Sequence, residues 1–255
     1  MIRWLPLVLL LVLARPAAAS LEASWGSACT PIVTDRLLPA GATQSRLFFS
    51  VTGLSGTVQA FQFRFSYGSR FSPDYPNCGA FVVPDAWRFD LDGCGGPSLV
   101  QIKLTARDVA CPHIFPPGGA EVTKITYDPL VSQATIIIAQ SFLTAVTADP
   151  SIRYHLADLL FDHTLAVNGP GSPPNTCGGF EAPICFTLQG GEYDAHGDCE
   201  PSDGGVYLDA NGVEHSFGPY PNVIATFRTD AASVACDGAT PARPTTWGAL
   251  RAQYR

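Results

Sequence analysis

Lysine is scarce in this 255-residue sequence, which contains only Lys103 and Lys124. The formal net charge is −7, and removal of residues 1–19 would take away Arg3 and Arg15 and bring the charge to −9. Nucleic-acid binding demands basic patches that neutralise phosphates. The composition therefore argues against a nucleic-acid partner.

Catalytic motifs are missing as well. The sequence has no Gly-x-Ser-x-Gly nucleophile elbow, no His-Glu-x-x-His motif and no phosphate-binding glycine loop. Asp162 and His163 are adjacent, but neighbours in a strand face opposite sides, so they do not form a base and its orienting carboxylate. Acids that are distant in sequence can still converge in a fold, which leaves an exported polysaccharide hydrolase as an alternative.

Long apolar runs are absent beyond the N-terminus. After a basic start, Leu5–Leu13 is apolar except for Pro6, and the small residues 17–19 follow. This pattern predicts a secretory signal peptide over residues 1–19, and the first cysteine, Cys29, lies too far on for a lipoprotein signal. No later stretch approaches the ~20 apolar residues of a membrane span. We therefore expect a secreted or cell-surface protein without a membrane span.

Eight cysteines behind a signal peptide predict four disulfides. Proximity favours two of the pairs and elimination leaves the other two: Cys78–Cys94 and Cys177–Cys185 by proximity, Cys29–Cys111 and Cys199–Cys236 by elimination. A cysteine metal site would need close Cys-x-x-Cys or Cys/His clusters, and the sequence has none. Structural disulfides are thus the interpretation that the spacing supports.

The most informative stretch for the fold is residues 58–67. Aromatic side chains recur there at every second position, with polar ones between them; the rings are those of Phe61, Phe63, Phe65 and Tyr67. Such alternation is typical of a half-buried antiparallel strand, whose aromatic face needs a second layer to cover it. Burying one such ring contributes roughly 1.5–3 kcal/mol. The sequence predicts an all-β fold, an antiparallel β-sandwich of jelly-roll or immunoglobulin-like type with disulfide-tied loops.

Three further segments sharpen this prediction. Ala134–Ala139 is continuously apolar and β-branched, which predicts a central strand covered on both faces. Ala86–Asp90 alternates and predicts a strand with Trp87 and Phe89 facing inward. Leu156–Asp162 fits a short helix or a strand, and its all-β surroundings favour a strand.

Glycine and proline indicate the domain organisation. Gly169–Pro174 is the strongest break in the chain, and it is either a linker or a long loop within one sandwich. We expect a sandwich over residues 28–170 and a disulfide-tied β region over 171–237, which could continue the same sandwich. Residues 238–255 are expected to form a linker and a short C-terminal helix.

One acidic turn is a candidate calcium site. Its carboxylates are Asp194, Asp198, Glu200 and Asp203. Acids spaced along a turn can direct several oxygens at one Ca²⁺, which takes six to eight of them, whereas an exposed, solvated turn is the alternative. Residues 209–214 are also acidic, but Asn211-Gly212 is a hairpin signal and a turn explains them.

Two tyrosines are candidate glycan contacts. Tyr75 and Tyr220 lie in proline-containing loops, where exposed planar rings could stack on sugars. Packing within the loops is the alternative for both.

The segment Val51–Gly56, leading into Ala60–Tyr67, resembles the early strands of cohesins and related carbohydrate-binding β-sandwiches. In those proteins a glycine-rich turn feeds a strand with the pattern x-Phe-Gln-Phe-x-x-x-Tyr. The resemblance covers residues 45–170 and implies the sandwich fold. No functional residue carries over by motif, and the eight-cysteine pattern departs from that of typical cohesins.

Together these observations predict a non-catalytic exported binding or adhesion module that recognises a glycan or an extracellular protein. The alternatives are the exported hydrolase and a structural component of the cell envelope. Convergent acids in a groove would favour the enzyme, a flat exposed aromatic face would favour glycan binding, and a long unpaired edge strand would favour assembly.

Overall fold

The structure, a computed structural model, describes residues 19–37, 42–71, 80–89, 100–104, 111–115, 118–128, 133–164, 180, 183–188, 191–193, 199–201, 205–217 and 224–228. These residues form two main antiparallel sheets, which confirms the predicted all-β class. The strands are β1 (Ser20–Ser24), β2 (Asp35–Leu37), β3 (Gln44–Thr52), β4 (Gly56–Gly68), β5 (Arg70–Phe71), β6 (Ala80–Phe81), β7 (Val100–Lys103), β8 (Ala120–Asp128), β9 (Gln133–Ala148), β10 (Tyr154–Asp162), β11 (Ile184–Leu188), β12 (Gly191–Tyr193), β13 (Cys199–Pro201), β14 (Gly205–Leu208), β15 (Glu214–Ser216) and β16 (Ile224–Arg228).

The smaller main sheet has four antiparallel strands in the order β1-β3-β10-β7. Strand β10 is the segment that fits either a helix or a strand by sequence, and it pairs with β3 on one edge and β7 on the other. The preference for a strand is confirmed. A register shift interrupts the β10–β3 ladder between His155 and Ala157.

The larger sheet has eight strands and is built around β4. One edge of β4 pairs with β9 from Gly56 to Tyr67, and β8 pairs with the far edge of β9. The other edge of β4 is divided between β14 and β11, which are followed by β15 and by β16 and β2 respectively. The pair β16–β2 is parallel. The short pairs β5–β6 and β12–β13 stand apart from both main sheets.

The core lies between the two sheets and is largely aromatic. The alternating rings of β4 all point into it, since Phe61 is 3% exposed and Phe63, Phe65 and Tyr67 are fully buried. Phe49 of β3 faces them at 5.1 Å from Phe63 and 4.7 Å from Phe65, measured between ring centroids. The prediction from the alternating stretch is confirmed.

Trp87 closes one side of this core, although its backbone differs from the prediction. Asp85–Trp87 is a 3₁₀ helix rather than part of a strand, because Trp87 N and Arg88 N donate to the carbonyls of Pro84 and Asp85. These local bonds take the place of a strand ladder. Trp87 and Phe89 are nevertheless buried, and Tyr67 Oη donates to the Trp87 carbonyl at 2.9 Å.

The hairpin β14–β15 follows the Asn-Gly signal. Gly212 has φ +75°, and Asp209 Oδ1 accepts hydrogen bonds from the backbone N–H groups of Asn211 and Val213. The Asp209 carboxylate therefore organises the backbone of this turn, as the turn explanation predicts.

Cys29 and Cys111 form a disulfide with a Cα–Cα distance of 5.6 Å. Cys185 is also disulfide-bonded. Its predicted partner Cys177 lies outside the described residues, as do Cys78, Cys94 and Cys236, and only the backbone of Cys199 is described. The signal peptide over residues 1–19, the domain division and the C-terminal helix stay predictions.

Candidate interaction face

The outer face of the eight-stranded sheet carries the most distinctive surface among the described residues. Strand alternation and register place one set of side chains there, and we call it the open face: Ala120, Val122 and Lys124 of β8; Ile137, Ala139 and Ser141 of β9; Ala60, Gln62 and Arg64 of β4; and Val206 and Leu208 of β14. The rings of β4 point the opposite way, into the core. The open face is largely aliphatic, with Gln62 and Ser141 between the aliphatic side chains and Lys124 and Arg64 at one end.

A shallow depression of about 250 Å³ lies in the middle of the open face. Its apolar lining comes from four adjacent strands and includes Ala120, Val122, Ala139, Ala60, Val206 and Leu208. Val122 is 59% exposed although it is a large aliphatic residue. Contiguous exposed apolar surface of this kind marks interaction sites more often than isolated exposed residues do.

Strand β9 shows why the sequence does not reveal that this apolar face is exposed. Its apolar run predicted a central strand covered on both faces. Both edges of β9 are paired, and Ile136 and Ile138 are buried, but Ile137 and Ala139 on the other side are only partly buried. The prediction of two-sided burial is therefore wrong for the open face. The sequence signal for such a surface is a continuous apolar run, although the same pattern is also typical of a strand that is buried on both faces.

A row of cations borders the depression. Lys124, Ile137 and Arg64 are in register across β8, β9 and β4, so two of the few basic residues flank one isoleucine. Lys124 is exposed, whereas partial burial lowers the pKa of Arg64. On the opposite border, Glu214 of β15 contributes to the lining of the depression. The face is thus apolar at its centre and charged at its edges.

Beyond the cationic row the same side of the sheet is covered. Ser66 is fully buried and Thr187, its register partner, is 7% exposed. The open face therefore ends at Arg64, and the part available to a partner is the half that contains the depression.

A bulge in β9 extends the other end of the open face. Val58 pairs with Val146 and Ala60 with Ser141, so only Gln59 lies opposite residues 142–145. Leu143 in this bulge is 101% exposed. Extended backbone alternation places Leu143 on the same side as Ser141, next to the depression.

The bulge is held in place from behind by stacked rings. Phe142 packs on Phe115 at 4.1 Å, and Phe115 stacks on Phe61 at 5.7 Å with an interplanar angle of 7°. Gly119 has φ +106°, and a Cβ there would lie 2.5 Å from the Ser141 carbonyl oxygen. Leu143 is therefore presented by a backbone that packing fixes, rather than by a loose loop.

The outer face of the four-stranded sheet is different at its corresponding end, because polar residues there are buried. Asp158 of β10 is 1% exposed, and its carboxylate lies 3.4 Å from Arg46 Nε and 3.9 Å from Nε2 of the fully buried His155. Phe48 and the Cys29–Cys111 disulfide form a small apolar cluster beside them. Asp158 and His155 are inaccessible, whereas the Arg46 side chain is 35% exposed. The two buried groups therefore serve the structure rather than a substrate.

His163 is the other buried histidine. Its Nε2 and Ser45 Oγ are 2.7 Å apart, and its ring lies 4.8 Å from that of Trp87. Burial lowers the pKa of His163 to about 4, so the ring is neutral at pH 7. Asp162 faces the other way and accepts hydrogen bonds from Thr164, as strand alternation predicts. The Ser45–His163 pair is sealed in the core, where no substrate could reach it.

Most of the site residues predicted from sequence lie outside the described residues. This applies to Tyr75, Tyr220, Asp194, Asp198 and Asp203. The backbone of Glu200 is described in β13, where it pairs with Glu192 of β12. The calcium and glycan hypotheses for these residues stay predictions.

Two further checks apply to the described ranges only. They contain no group of three or more His, Cys, Asp or Glu side chains arranged to hold a metal ion. No helix within them has the length and apolar character needed to cross a membrane.

No protein-family model and no curated protein matches the sequence. Several solved cohesins are similar to the structure at low levels. The second type II cohesin module of the cellulosomal adaptor scaffoldin ScaA of Acetivibrio cellulolyticus is 10% identical with a TM-score of 0.36, and the match covers 86% of this chain and 100% of that one. A type III cohesin module of the cell-surface anchoring scaffoldin ScaE of Ruminococcus flavefaciens is 8% identical with a TM-score of 0.37, over 85% and 89% of the two chains.

A third similar structure is the type I cohesin–dockerin complex Coh-OlpC–Doc435 of Clostridium thermocellum, with 7% identity, a TM-score of 0.34 and coverage of 84% and 97%. These likenesses agree with the cohesin resemblance noted in the sequence. The chemistry of the partner of this chain is therefore inferred from the residues of the chain itself.

Proposed function

We propose that this chain is a non-catalytic protein-binding module that acts outside the cell or at the cell surface, and that its partner docks on the open face. The observation that supports the proposal best is the largely apolar surface around the depression, with Val122 exposed in its lining and Leu143 exposed in the adjoining bulge. Apolar side chains in the centre of a patch and charges at its rim are the usual anatomy of a protein interface.

Charge complementarity suggests the chemistry of the partner. The chain as a whole is acidic, yet Lys124 and Arg64 lie on either side of Ile137 along one border of the open face. A protein surface that is apolar in its centre and carries carboxylates along one edge would match this arrangement. Complementary charges of this kind act mainly on association rate and orientation.

Leu143 is proposed as the anchor of the interface. Interface energy is concentrated in a few side chains that fill pockets on the partner, and a side chain fixed in advance binds with a smaller entropic loss. Leu143 suits this role because it projects fully into solvent and because the Phe142–Phe115–Phe61 stack supports the backbone that carries it. The aliphatic character of the face favours a protein over a glycan, because sugar-binding surfaces rely on exposed aromatic rings.

Site-specific photo-crosslinking tests the proposal. A crosslinking residue is placed at Ala120 on the open face or, as a matched control, at exposed Gln101 of β7 in the other sheet. The full chain is then incubated with the extracellular and surface proteins of the producing cells. We expect an adduct of defined mass from position 120 and none from position 101, and we expect Val122→Asp and Leu143→Asp to abolish it.

Two results would contradict the proposal. One is an adduct that survives both substitutions, and the other is an equal yield from positions 120 and 101. Binding to a polysaccharide or glycan array that is unaffected by Val122→Asp would favour the glycan alternative instead, and its loss on addition of a chelator would point to the acidic turn at Asp194–Asp203.

A further inference from the structure

Residues 111–115, which we call the strap, close one end of the sandwich. The Cys29–Cys111 disulfide fastens its start. His155 N donates to the Pro112 carbonyl at 2.9 Å, which docks the strap on β10 at the register shift. Ile114 and Phe115 are buried, and Phe115 reaches across to Phe61 and Phe142 of the other sheet. The strap therefore holds both sheets and the bulge of β9.

His113 occupies the centre of the strap and is partly buried against β10. Its Nδ1 donates to the His155 carbonyl at 2.8 Å, since a carbonyl oxygen can only accept. The two imidazole rings lie 5.5 Å apart, and the ring of Phe115 lies 6.5 Å from that of His113. A positive charge on His113 would thus develop beside a buried histidine and an aromatic ring, away from bulk water.

Polar groups from four strands surround this position. The Gln140 side chain of β9 lies next to the His113 ring, and its Nε2 donates to Glu121 Oε1 of β8 at 3.2 Å. On the other side, His155 of β10 is followed by Asp158 and then by Arg46 of β3. Burial opposes a charge on His113, whereas the His155 carbonyl, Gln140 and Glu121 favour it.

Burial is the larger effect and lowers the pKa of His113 below its ordinary value of 6.5 while the strap is docked. An undocked strap would place the ring in water and restore the ordinary pKa. As the pH falls below 6.5, the undocked state binds a proton more readily than the docked state does. By linkage, acid shifts the equilibrium toward the undocked strap, and neutral pH favours docking.

We propose that the strap is an acid-released element, in which protonation of His113 frees residues 111–115 from β10 while the Cys29–Cys111 disulfide keeps them tethered. Release removes Phe115 from Phe142, so it also takes away the support of the bulge that carries Leu143. The inference concerns the strap alone and holds whatever binds the open face.

The rate of disulfide reduction reports the release. Cys29 and Cys111 are 5% and 6% exposed, so a water-soluble phosphine reaches their bond only when the strap opens. Reduction followed by alkylation and mass spectrometry measures this bond separately from that of Cys185, which is 3% exposed and serves as the internal control. Between pH 7.5 and pH 5 we expect the relative rate to rise by up to about tenfold for each pKa unit that separates docked from undocked His113.

Three variants make the test specific. His113→Asn keeps a donor toward the His155 carbonyl but does not titrate, and it should make the rate independent of pH. Glu121→Gln, at an exposed position, removes a charge that favours protonated His113 and should steepen the rise toward acid. His215→Gln, in the hairpin, should behave like the unaltered chain.

A relative rate that is flat from pH 7.5 to pH 5 in the unaltered chain would overturn the proposal. An undiminished rise in His113→Asn would overturn it as well, because another group would then be responsible. Should His113→Asn fail to fold, Glu121→Gln decides the matter, since a shallower rise in that variant contradicts the assigned role of His113.

Discussion

The outer faces of the two sheets differ in which side chains they bury and which they expose. On the four-stranded sheet, the Cys29–Cys111 disulfide and Phe48 pack beside the buried side chains of Asp158 and His155, and the partly exposed Arg46 pairs with Asp158. On the eight-stranded sheet, aliphatic side chains from four strands, with Gln62 and Ser141 between them, stay accessible around a depression. One face has polar residues that are covered, and the other has apolar residues that are not.

Each face is thus the reverse of what simple burial rules predict. Covering a carboxylate requires compensating partners, and Asp158 has a guanidinium on one side and an imidazole on the other. Leaving aliphatic side chains in water forgoes the gain of burying them, which binding of a partner would recover. The contrast matches the proposal that the cysteines near the first face stabilise the fold and that the second face binds a partner.

Removal of the disulfide should have the largest effect on stability. The Cys29–Cys111 bond closes a loop with a sequence separation of 82 residues. The double variant Cys29→Ala/Cys111→Ala is therefore expected to lose about 4 kcal/mol of unfolding free energy, since the unfolded chain gains freedom. Urea unfolding measures this loss. A shift of the midpoint no larger than that of Val122→Asp would erase the distinction between the two faces.

Acid should weaken the interior next to the four-stranded sheet by a somewhat smaller amount. His163 has a pKa of about 4 in the folded chain against an ordinary value near 6.5, so the unfolded chain binds its proton first. Its contribution is fully present above pH 6.5 and is lost as the pH falls toward 4, by about 3 kcal/mol in total. Urea unfolding at pH 7.5, 6 and 4.5 should show this slope.

A matched pair of variants checks the assignment to His163. His163→Gln keeps a polar group toward Ser45 and should make the pH dependence of the unfolding free energy shallower. The His215 side chain is 41% exposed, and His215→Gln should leave the pH dependence unchanged. Equal slopes in the two variants would show that the acid sensitivity arises elsewhere.

Substitutions on the open face should have the smallest effect on stability. Val122→Asp and Leu143→Asp alter side chains that already contact water, so we expect changes in unfolding free energy within about 0.5 kcal/mol. Thermal or urea unfolding together with partner binding measures both consequences. A loss of binding that comes with a large loss of stability would mean that these residues belong to the core after all.

The sequence predicts the layer structure well because strand alternation is local information. The alternation of the four aromatic residues in β4 shows which side of this strand is buried, and Asn211-Gly212 predicts the turn that contains it. The open face is harder to predict, because its residues come from four strands that only the register brings together. The apolar run of β9 contains half of the signal, but a sequence alone cannot tell burial by the fold from burial by a partner.

The 3₁₀ helix at Asp85–Trp87 and the strap were beyond prediction for another reason. The prediction that Trp87 is buried is correct. Local hydrogen bonds make its backbone a 3₁₀ helix instead of a strand, but Trp87 and Phe89 still point into the core. The strap depends on the contact of His113 with His155, 42 residues away in the chain, and adjacent-residue patterns carry no trace of it.

The division of one β4 edge between β14 and β11 bears on the order of folding. The partner on the other edge, β9, begins at Gln133, whereas β11 begins at Ile184 and β14 at Gly205. Until those later segments emerge, the aromatic strand at the centre of the protein has one unpaired edge, which is the kind of surface that templates aggregation. Such distant pairings also make folding slow, because loops must close before any contact forms. The final third of the chain thus governs when β4, the centre of the larger sheet, becomes safe from misassembly.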